Sequence, residues 1–525
     1  MKTTPALMFL VALLISCITA VAQEAIKAPV DFDPGAFHRR TKDWIGGEKA
    51  KKIKWAAPLG SPTYNRPVLC GDLVVIASNN SSAKLPAKYA KSVDLGCLLA
   101  FDRKGGSFQW QYSAQKLEDG DLDYPSQGIC SNAAVDGDRL YIVNNRCEVV
   151  CLPTDRKLVS DHEVKPLWSF NMMEQLKVIP HFMTSSNPLI VDDMLLVTTS
   201  NGVKSDDRTV ASPKAPDLIA LNKKGECVWQ TTVAGERLLD GQWSSPVLLP
   251  GDKSNSSTVV YAAGDGWLYS WSVSKVGGVK TFSPLWKCDL NPKTSQWNGG
   301  GVGDRNIVLS TPVWCEKEHL LLVATGQDPE AGEGVAVFWA IDPIKAAAKA
   351  QARNHSSKDF LDVSETLVVG AEKRSEDKRR IQACDDEKGE RETPNPDSAI
   401  AWKYRGADPG SEEFEKEFHR TLGTPTVAGG LVFVGDFSGL IHCLDLKSGK
   451  ALWVHDAMSS IWSSPVVIGN VVYLGTSEGD LLLFEASEKF KLVRTIKMGA
   501  PIHAPVVFDG RTLYIPTNRY LFAVE

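Results

Sequence analysis

Residues 423–456 read GTPTVAGGLVFVGDFSGLIHCLDLKSGKALWVHD, and the beginning of this stretch recurs twice further along the chain. The copies are SPVVIGNVVYLGTSEGDLLLFE at 464–485 and APVVFDGRTLYIPTNRYLFAVE at 504–525. Pro425, Pro465 and Pro505 hold the same position in the three copies and are spaced by 40 residues. A fixed period of this length indicates a chain built from repeated structural units.

Each unit is predicted to contain four strands. A small residue and a proline open the first strand, turns rich in Gly, Asp and Asn follow, and a tryptophan marks the fourth strand. Alternation of apolar residues between such turns is typical of half-buried strands. The markers are Trp55, Trp110, Trp168, Trp229, Trp286, Trp402 and Trp453, with Val493 in the corresponding place of a further unit. We interpret these rings as packing between neighbouring units rather than as ligand contacts.

The markers count eight units, and the last of these, residues 502–525, has only three strands. Trp55 precedes every first strand, so an N-terminal strand is free to supply the missing fourth one. Closing the ring in this way removes the free sheet edges that an open array would expose. The sequence therefore predicts an all-β fold, an eight-bladed β-propeller of four-stranded antiparallel blades, closed by the strand around Trp55.

One predicted blade is interrupted by a long excursion. Residues 343–398 carry many charges and few aromatic residues, which is typical of a solvated helix or a disordered loop. We interpret this charged insertion as an excursion from a blade, with a docking surface as the alternative. The propeller is then predicted to span residues 51–525, after an N-terminal extension at residues 23–50.

The first 22 residues have the pattern of a secretory signal peptide. Lys2 precedes an apolar run at residues 6–18, and Ala20-Val21-Ala22 forms a small-x-small cleavage pattern. The alternatives are an uncleaved anchor and lipoprotein attachment through Cys17. We expect an exported protein, periplasmic or extracellular, with no transmembrane span in the mature chain.

Composition excludes some partners and leaves the cysteines open. The formal net charge is −5, and no basic excess indicates a nucleic-acid partner. Ten of the 11 cysteines follow the signal segment, where an oxidising compartment permits disulfides. A bridge between neighbouring strands, such as Cys130 to Cys147, is geometrically easier than Cys147 to Cys151, and the connectivity stays open.

The units at 424–456 and 464–498 resemble the repeats of the pyrroloquinoline quinone (PQQ) propeller superfamily. This resemblance implies an eight-bladed ring and two kinds of function, that of quinoprotein dehydrogenases and that of a non-catalytic outer-membrane assembly lipoprotein. The loop GQDPEAGEG at 326–334, followed by AVFWAIDP, is similar to exported PQQ-like propellers of uncharacterised role. Dehydrogenases of the superfamily commonly carry two adjacent cysteines and a calcium ion beside a catalytic Asp. No Cys-Cys pair occurs in this sequence, which favours the non-catalytic function.

Ligands of propellers usually meet loops ahead of the opening prolines, around the central funnel. In these loops the candidate ligand-binding residues are Trp243, Arg305, Arg420, Trp462 and His503, accompanied by Gln127, His181, Asn306 and His419. Trp faces stack on planar ligands, and Arg binds carboxylates bidentately. PQQ is a planar tricarboxylate, so the set suits PQQ or another small planar ligand. The competing interpretation is an ordinary polar and aromatic rim.

A second candidate site is the loop 326–334. Asp328, Glu330 and Glu333 supply three carboxylates, the kind of hard oxygen ligand that suits Ca²⁺. The alternative is a solvated turn. Asp265 and Asp436 recur at one repeat position, which indicates turn capping rather than catalysis.

The sequence thus favours a non-catalytic binding or scaffold module outside the cytoplasm, engaging a protein partner or a small ligand. The alternative is a PQQ-dependent oxidoreductase acting on an alcohol or a sugar. Asp and Glu side chains converging beside Trp243 or Trp462 would favour that alternative.

Overall fold

The computed structural model describes residues 29–34, 37–38, 43–44 and 52–525, except 252–255, 277–278, 354–358, 371–373 and 412. The predicted signal peptide, 1–22, lies outside the described residues. Eight sheets, each built on four antiparallel strands, are arranged as blades around a central channel. The predicted eight-bladed propeller is confirmed.

Blades are numbered along the chain, and their strands are given from the channel outward. Blade 1 contains Val68–Cys70, Leu73–Asn79, Leu95–Asp102 and Phe108–Gln115, and blade 2 contains Ala134–Asp136, Arg139–Val143, Glu148–Pro153 and Trp168–Asn171. Blade 3 contains Leu189–Val191, Met194–Thr198, Leu218–Asn222 and Cys227–Thr231, and blade 4 contains Val247–Leu249, Ser257–Ala262, Trp267–Val276 and Val279–Asp289. Blade 5 contains Val313–Cys315, Leu320–Ala324, Phe338–Ile341 and Ile400–Tyr404, and blade 6 contains Thr426–Ala428, Leu431–Gly435, Leu440–Asp445 and Ala451–Asp456. Blade 7 contains Val466–Ile468, Val471–Gly475, Asp480–Glu485 and Leu492–Lys497.

Blade 8 closes the ring with both ends of the chain. Its inner strands are Val507–Phe508, Leu513–Pro516 and Tyr520–Val524, and its outer strand is Ile53–Pro58. Trp55 pairs with Ala523 in this antiparallel ladder. The N-terminal strand therefore supplies the fourth strand of the last unit, as the sequence predicts.

The marker tryptophans hold neighbouring blades together. The indole Nε1 of Trp55 donates to the carbonyl of Arg103 at 3.0 Å, and that of Trp402 donates to Leu446 at 2.9 Å, each in the following blade. Gly449 lies under the Trp402 ring with a φ of +67°, where a Cβ atom would stand 2.4 Å from the ring. The glycine of one blade's turn thus makes room for the tryptophan of the preceding blade.

A second set of contacts links the inner strands. In five blades, the residue ahead of the first strand donates its backbone N–H to the side-chain oxygen of the equivalent residue in the next blade, and a proline follows this residue except at Asn132. These links run from Arg66 to Asn132, Asn132 to Asn187, Asn187 to Ser245, Thr311 to Thr424 and Thr424 to Ser464, at 2.7 to 3.3 Å. The recurring small polar residue before proline is therefore an inter-blade connector.

The excursion, residues 343–398, is more ordered in its described part than the sequence suggests. The helix Pro343–Ala352 buries Ala346 and Ala350, and the strand Leu361–Asp362 extends blade 4 in parallel. The remaining pieces are the strand pair Thr366–Val369 with Arg391–Pro394 and the helix Glu376–Ile381. The side chain of Glu390 is completely buried, and it accepts from Arg374 at 2.9 Å. The expected helix is thus present in part, and the expected disordered loop is replaced by a segment held by a buried ion pair.

Other elements decorate the ring. Blade 1 gains the strands Val159–Ser160 and Glu163–Val164, the short helix Met172–Leu176 follows blade 2, and Phe37–His38 pairs with Asp43–Trp44. All ten cysteines of the described chain are unpaired thiols, and nine of them are buried, so the expected bridges are not observed. None of the helices in the described residues has the length and apolar character needed to cross a membrane.

Candidate functional site

The centre of the ring is an open channel of about 1290 Å³. The ends of the inner strands line it, together with loops on one face of the molecule. We call this the top face: it carries the loops that join one blade to the next, namely 59–67, 116–133, 172–188, 232–246, 290–312, 405–425, 457–465 and 498–506. Loops between second and third strands lie on the same face, because adjacent strands are antiparallel.

Aromatic rings form one wall of the channel. Trp462 and His503 stack on each other with centroids 4.9 Å apart, and Tyr64 stacks on both, at 5.5 Å and 5.7 Å. Burial lowers the pKa of His503 to about 4, so this imidazole is neutral at pH 7. Two of the rim residues predicted from the sequence therefore lie together, with Tyr64 as a third member that the sequence analysis missed.

Trp243 also lines the channel but belongs to a separate apolar cluster. It packs with Leu239, Trp297 and Ile307, and its side chain is only 9% exposed. Gly241 allows this approach, because a Cβ atom there would stand 2.7 Å from the indole ring. Trp243 therefore contributes mainly to packing, with an edge toward the channel.

Arg305 and Arg420 lie near the top face but are committed to internal contacts. Arg305 is buried against Asp289 at 3.2 Å, beside Lys293, which binds the same carboxylate at 2.9 Å. Arg420 donates to the carbonyl oxygens of Ala331, Gly301 and Gly303 and to the side chain of Asn306, at 2.7 to 2.9 Å. Neither guanidinium lines the channel, so the structure does not bring them together as a carboxylate clamp.

Arg420 instead fixes the acidic loop 326–334. Gly334 permits the approach, because a Cβ atom there would stand 2.7 Å from the guanidinium carbon. Asp328 and Glu330 then line the channel, whereas Glu333 is exposed outside it. Among the described residues, no group of three or more His, Cys, Asp or Glu side chains is placed to hold a metal ion. Calcium binding by this loop stays a prediction.

A histidine and two aspartates lie next to this loop. The Nδ1 of His181 donates to the carbonyl of Val203 at 2.9 Å, because a carbonyl can only accept. Its Nε2 faces Asp240 at 3.1 Å and Asp207 at 3.5 Å, so a second proton there satisfies both carboxylates. Burial alone would lower the pKa of His181, but the hydrogen bond to Asp240 and both negative charges raise it.

Burial and neighbouring negative charges raise the pKa of two carboxyl groups around His181 and the loop 326–334. Burial raises the pKa of Asp328 to about 6, and the charges of Asp240 and Glu330 add to the rise. Burial also raises the pKa of Asp207, with a contribution from Glu330. We call Asp207, Asp240, Asp328 and Glu330 the acidic mouth. Its members come from three loops, and only two of them stand close together in the sequence.

The recurring aspartates of blades 4 and 6 cap turns, as the sequence predicts. Asp436 accepts from the backbone N–H of Leu440 at 2.9 Å, and Asp265 accepts from Trp267 at 3.1 Å. The second oxygen of Asp436 also faces His419 at 3.1 Å and His442 at 3.2 Å. This buried group ties blade 6 to the preceding loop and does not reach the channel.

Comparison with known proteins identifies the repeats. Residues 283–525 match the family described as outer membrane protein assembly factor BamB, a family of PQQ-like repeats. The resemblance to PQQ-like propeller repeats is confirmed. The outer membrane protein assembly factor BamB of Moranella endobia (strain PCIT) is 26% identical over 136 residues, which are 24% of this chain and 34% of that protein. The match thus spans about a third of the length of this relative.

The ring also resembles a solved propeller. The crystal structure of BamB from Moraxella catarrhalis superposes with a TM-score of 0.53, covering 90% of this chain and 99% of that one. The two chains are 12% identical, so this likeness concerns the fold alone.

Proposed function

We propose that this protein is an exported, non-catalytic scaffold that binds a protein partner through its top face during assembly of outer-membrane proteins. The similarity of residues 283–525 to the BamB family supports the process, and the predicted signal segment supports export.

The observation that supports a docking function for the top face is the presence of large exposed apolar side chains there. Six of the thirteen large exposed ones in the described residues lie in top-face loops or in the part of the excursion that contacts them: Val93, Tyr124, Val302, Ile381, Phe414 and Met458, with exposures of 42% to 83%. The other seven lie on outer strands or on the opposite face. Exposed apolar side chains beside a channel opening are typical of a protein-interaction surface. The channel opens in the middle of this face.

The test is deletion of the gene in its source organism, with quantification of β-barrel proteins in the outer membrane. We expect lower barrel levels, restored by the full gene and not by a gene lacking codons 1–22. A top-face variant, Met458→Asp with Val302→Asp, should fail to restore them. Its control, Leu158→Asp with Val228→Asp, changes residues that are 56% and 53% exposed away from the top face, and it should restore them. Unchanged barrel levels after deletion would refute the proposal.

One observation favours a second candidate, a PQQ-dependent oxidoreductase. Asp328 and Glu330 line the same channel as Trp243 and Trp462, which is the convergence that the sequence analysis associates with an enzyme. The cofactor itself fits poorly, because Arg305 and Arg420 are engaged elsewhere and His503 is neutral. Three carboxylates of PQQ would face acidic groups instead.

A thermal melt with PQQ and Ca²⁺, separately and together, distinguishes the two candidates. A ligand that binds only the native state must raise the melting temperature. We expect no shift and no reduction of an electron-accepting dye with alcohols or sugars. A shift that needs both ligands, with dye reduction, would establish the oxidoreductase instead.

A further inference from the structure

We propose that the acidic mouth binds the cationic side chain of an arginine or lysine presented by an extended segment of the protein partner. This inference rests on the proposed function, because it gives the chemistry of the partner. It names one occupant for the channel, a basic residue flanked by apolar residues.

The charge of the acidic mouth favours a cation. Asp328 and Glu330 line the channel, and Asp207 and Asp240 share the proton of His181 beside them. Two of these four carboxyl groups face the imidazole, and the other two leave an excess of negative charge at the mouth. Among the lining residues that the structure describes, Arg66 is the single Lys or Arg. Lys116 lies nearby and is already paired with buried Asp123.

The size of the channel and the aromatic residues of its wall also suit a basic peptide segment. A channel of about 1290 Å³ exceeds the size of a pocket for one small ligand and admits a length of peptide. The stacked rings of Tyr64 and Trp462, with Phe182 and Tyr124, offer faces for a guanidinium or an ammonium group. Apolar neighbours of the cation would meet the exposed apolar residues of the top face.

Hydrogen bonds from Arg420 hold the acidic loop 326–334 in place before a partner binds. Arg420 is 3% exposed and donates to the backbone on both sides of the loop contact, at Ala331 and at Gly301. Asp328 in turn accepts from the N–H of Glu330 at 2.8 Å, which fixes the turn that carries both carboxylates. A loop that is fixed before binding loses little conformational entropy when it meets its partner.

The experiment measures binding of a fluorescein-labelled peptide with one arginine between two leucines, by fluorescence anisotropy. The comparison peptide has citrulline, which keeps the planar shape of arginine without its charge. We expect the arginine peptide to bind at least about tenfold more tightly. Binding should weaken with added salt, because partly exposed charges are screened. Equal affinity for the two peptides would overturn the proposal without any protein variant.

Protein variants locate the site. Asp207→Asn with Glu330→Gln should weaken the arginine peptide about tenfold and leave the citrulline peptide unchanged. The matched control, Glu316→Gln with Glu478→Gln, removes two exposed carboxylates that do not line the channel, and it should bind as the wild type does. Equal weakening by both pairs would overturn the proposal.

The pH dependence gives a separate check. The pKa of Asp328 is about 6, with His181, Asp207, Asp240, Glu330 and Tyr64 around it. Ionisation of this carboxyl strengthens attraction for a cation, so affinity should rise between about pH 5 and about pH 7. A flat profile would contradict the assignment. If deletion of the gene lowers outer-membrane barrel levels but the protein does not prefer the arginine peptide, only this inference is overturned. If the protein prefers the arginine peptide but deletion leaves barrel levels unchanged, only the proposed function is overturned.

Discussion

Blade 6 and the junction between blades 4 and 5 both pack apolar residues against a neighbouring blade, but the junction adds a buried ion-pair group to its apolar core. Blade 6 has short turns, a tryptophan over a glycine, and an apolar core shared with blade 7. The junction has long loops and buries the ion-pair group of Asp289, Lys293 and Arg305. The same strand pattern therefore tolerates a junction in which buried charge is added to apolar packing.

The largest effect that this comparison predicts is for Asp289→Asn. The change leaves two cations, both at most 5% exposed, without the carboxylate that they share. Breaking a buried ion pair from one side costs about 3 to 5 kcal/mol, so the urea midpoint should fall markedly. The matched control is Asp480→Asn in blade 7, whose partner Lys497 is 81% exposed. That change should cost at most about 1 kcal/mol, and equal losses would contradict the comparison.

The same variant has a defined pH dependence. Burial would raise the pKa of Asp289, but the charges of Arg305 and Lys293 outweigh burial and lower it. A lowered folded-state pKa stabilises the protein above the ordinary carboxyl pKa of about 4, and this contribution is lost as pH falls through the lowered value. The difference in stability between wild type and Asp289→Asn should therefore shrink at acidic pH.

The regular part of the ring was open to prediction because its signals are local and periodic. Proline spacing, the marker tryptophans and Trp55 ahead of the first strand are sufficient to predict eight blades and their closure. The connector role of the residue before proline was also present in the sequence. Asn, Ser and Thr recur at this position, and their side-chain oxygens indicate a hydrogen bond between blades.

A glycine pair in blade 6 tests the packing side of the comparison, with a medium effect. Gly449→Ala should cost about 2 to 4 kcal/mol, from a left-handed φ together with overpacking against Trp402. Gly429→Ala in the same blade meets a similar φ of +58° with no atom within 4 Å, and should cost only about 1 to 2 kcal/mol. Thermal melts compare the two variants. Equal costs would show that Trp402 does not depend on that glycine.

The candidate site was less predictable, because its contacts join distant residues. Trp243, Trp462 and His503 line the channel, as expected for loops ahead of the opening prolines. Arg420 occupies an equivalent loop, but its partner Asn306 lies 114 residues away, and no local pattern announces that pairing. The acidic mouth likewise joins three separate loops, so only the fold brings its members together.

The smallest predicted effect concerns the inter-blade connectors. Ser464→Ala removes the oxygen that accepts the N–H of Thr424 at 2.9 Å. It reproduces the arrangement after blade 7, where Ala504 holds the equivalent position and has no side-chain oxygen to offer. We expect a loss of about 0.5 to 1.5 kcal/mol, the usual net contribution of one hydrogen bond.

Ser464→Thr is the control for this connector. It keeps the accepting oxygen, and threonine already occupies the position at Thr311 and Thr424, so the urea midpoint should stay close to that of the wild type. If alanine and threonine shift the midpoint equally, the hydrogen bond does not contribute, and the link between blades 6 and 7 depends on apolar packing alone. A selective loss with alanine would instead show that even the most regular blades need a polar contact beside the channel, where water competes for every backbone group.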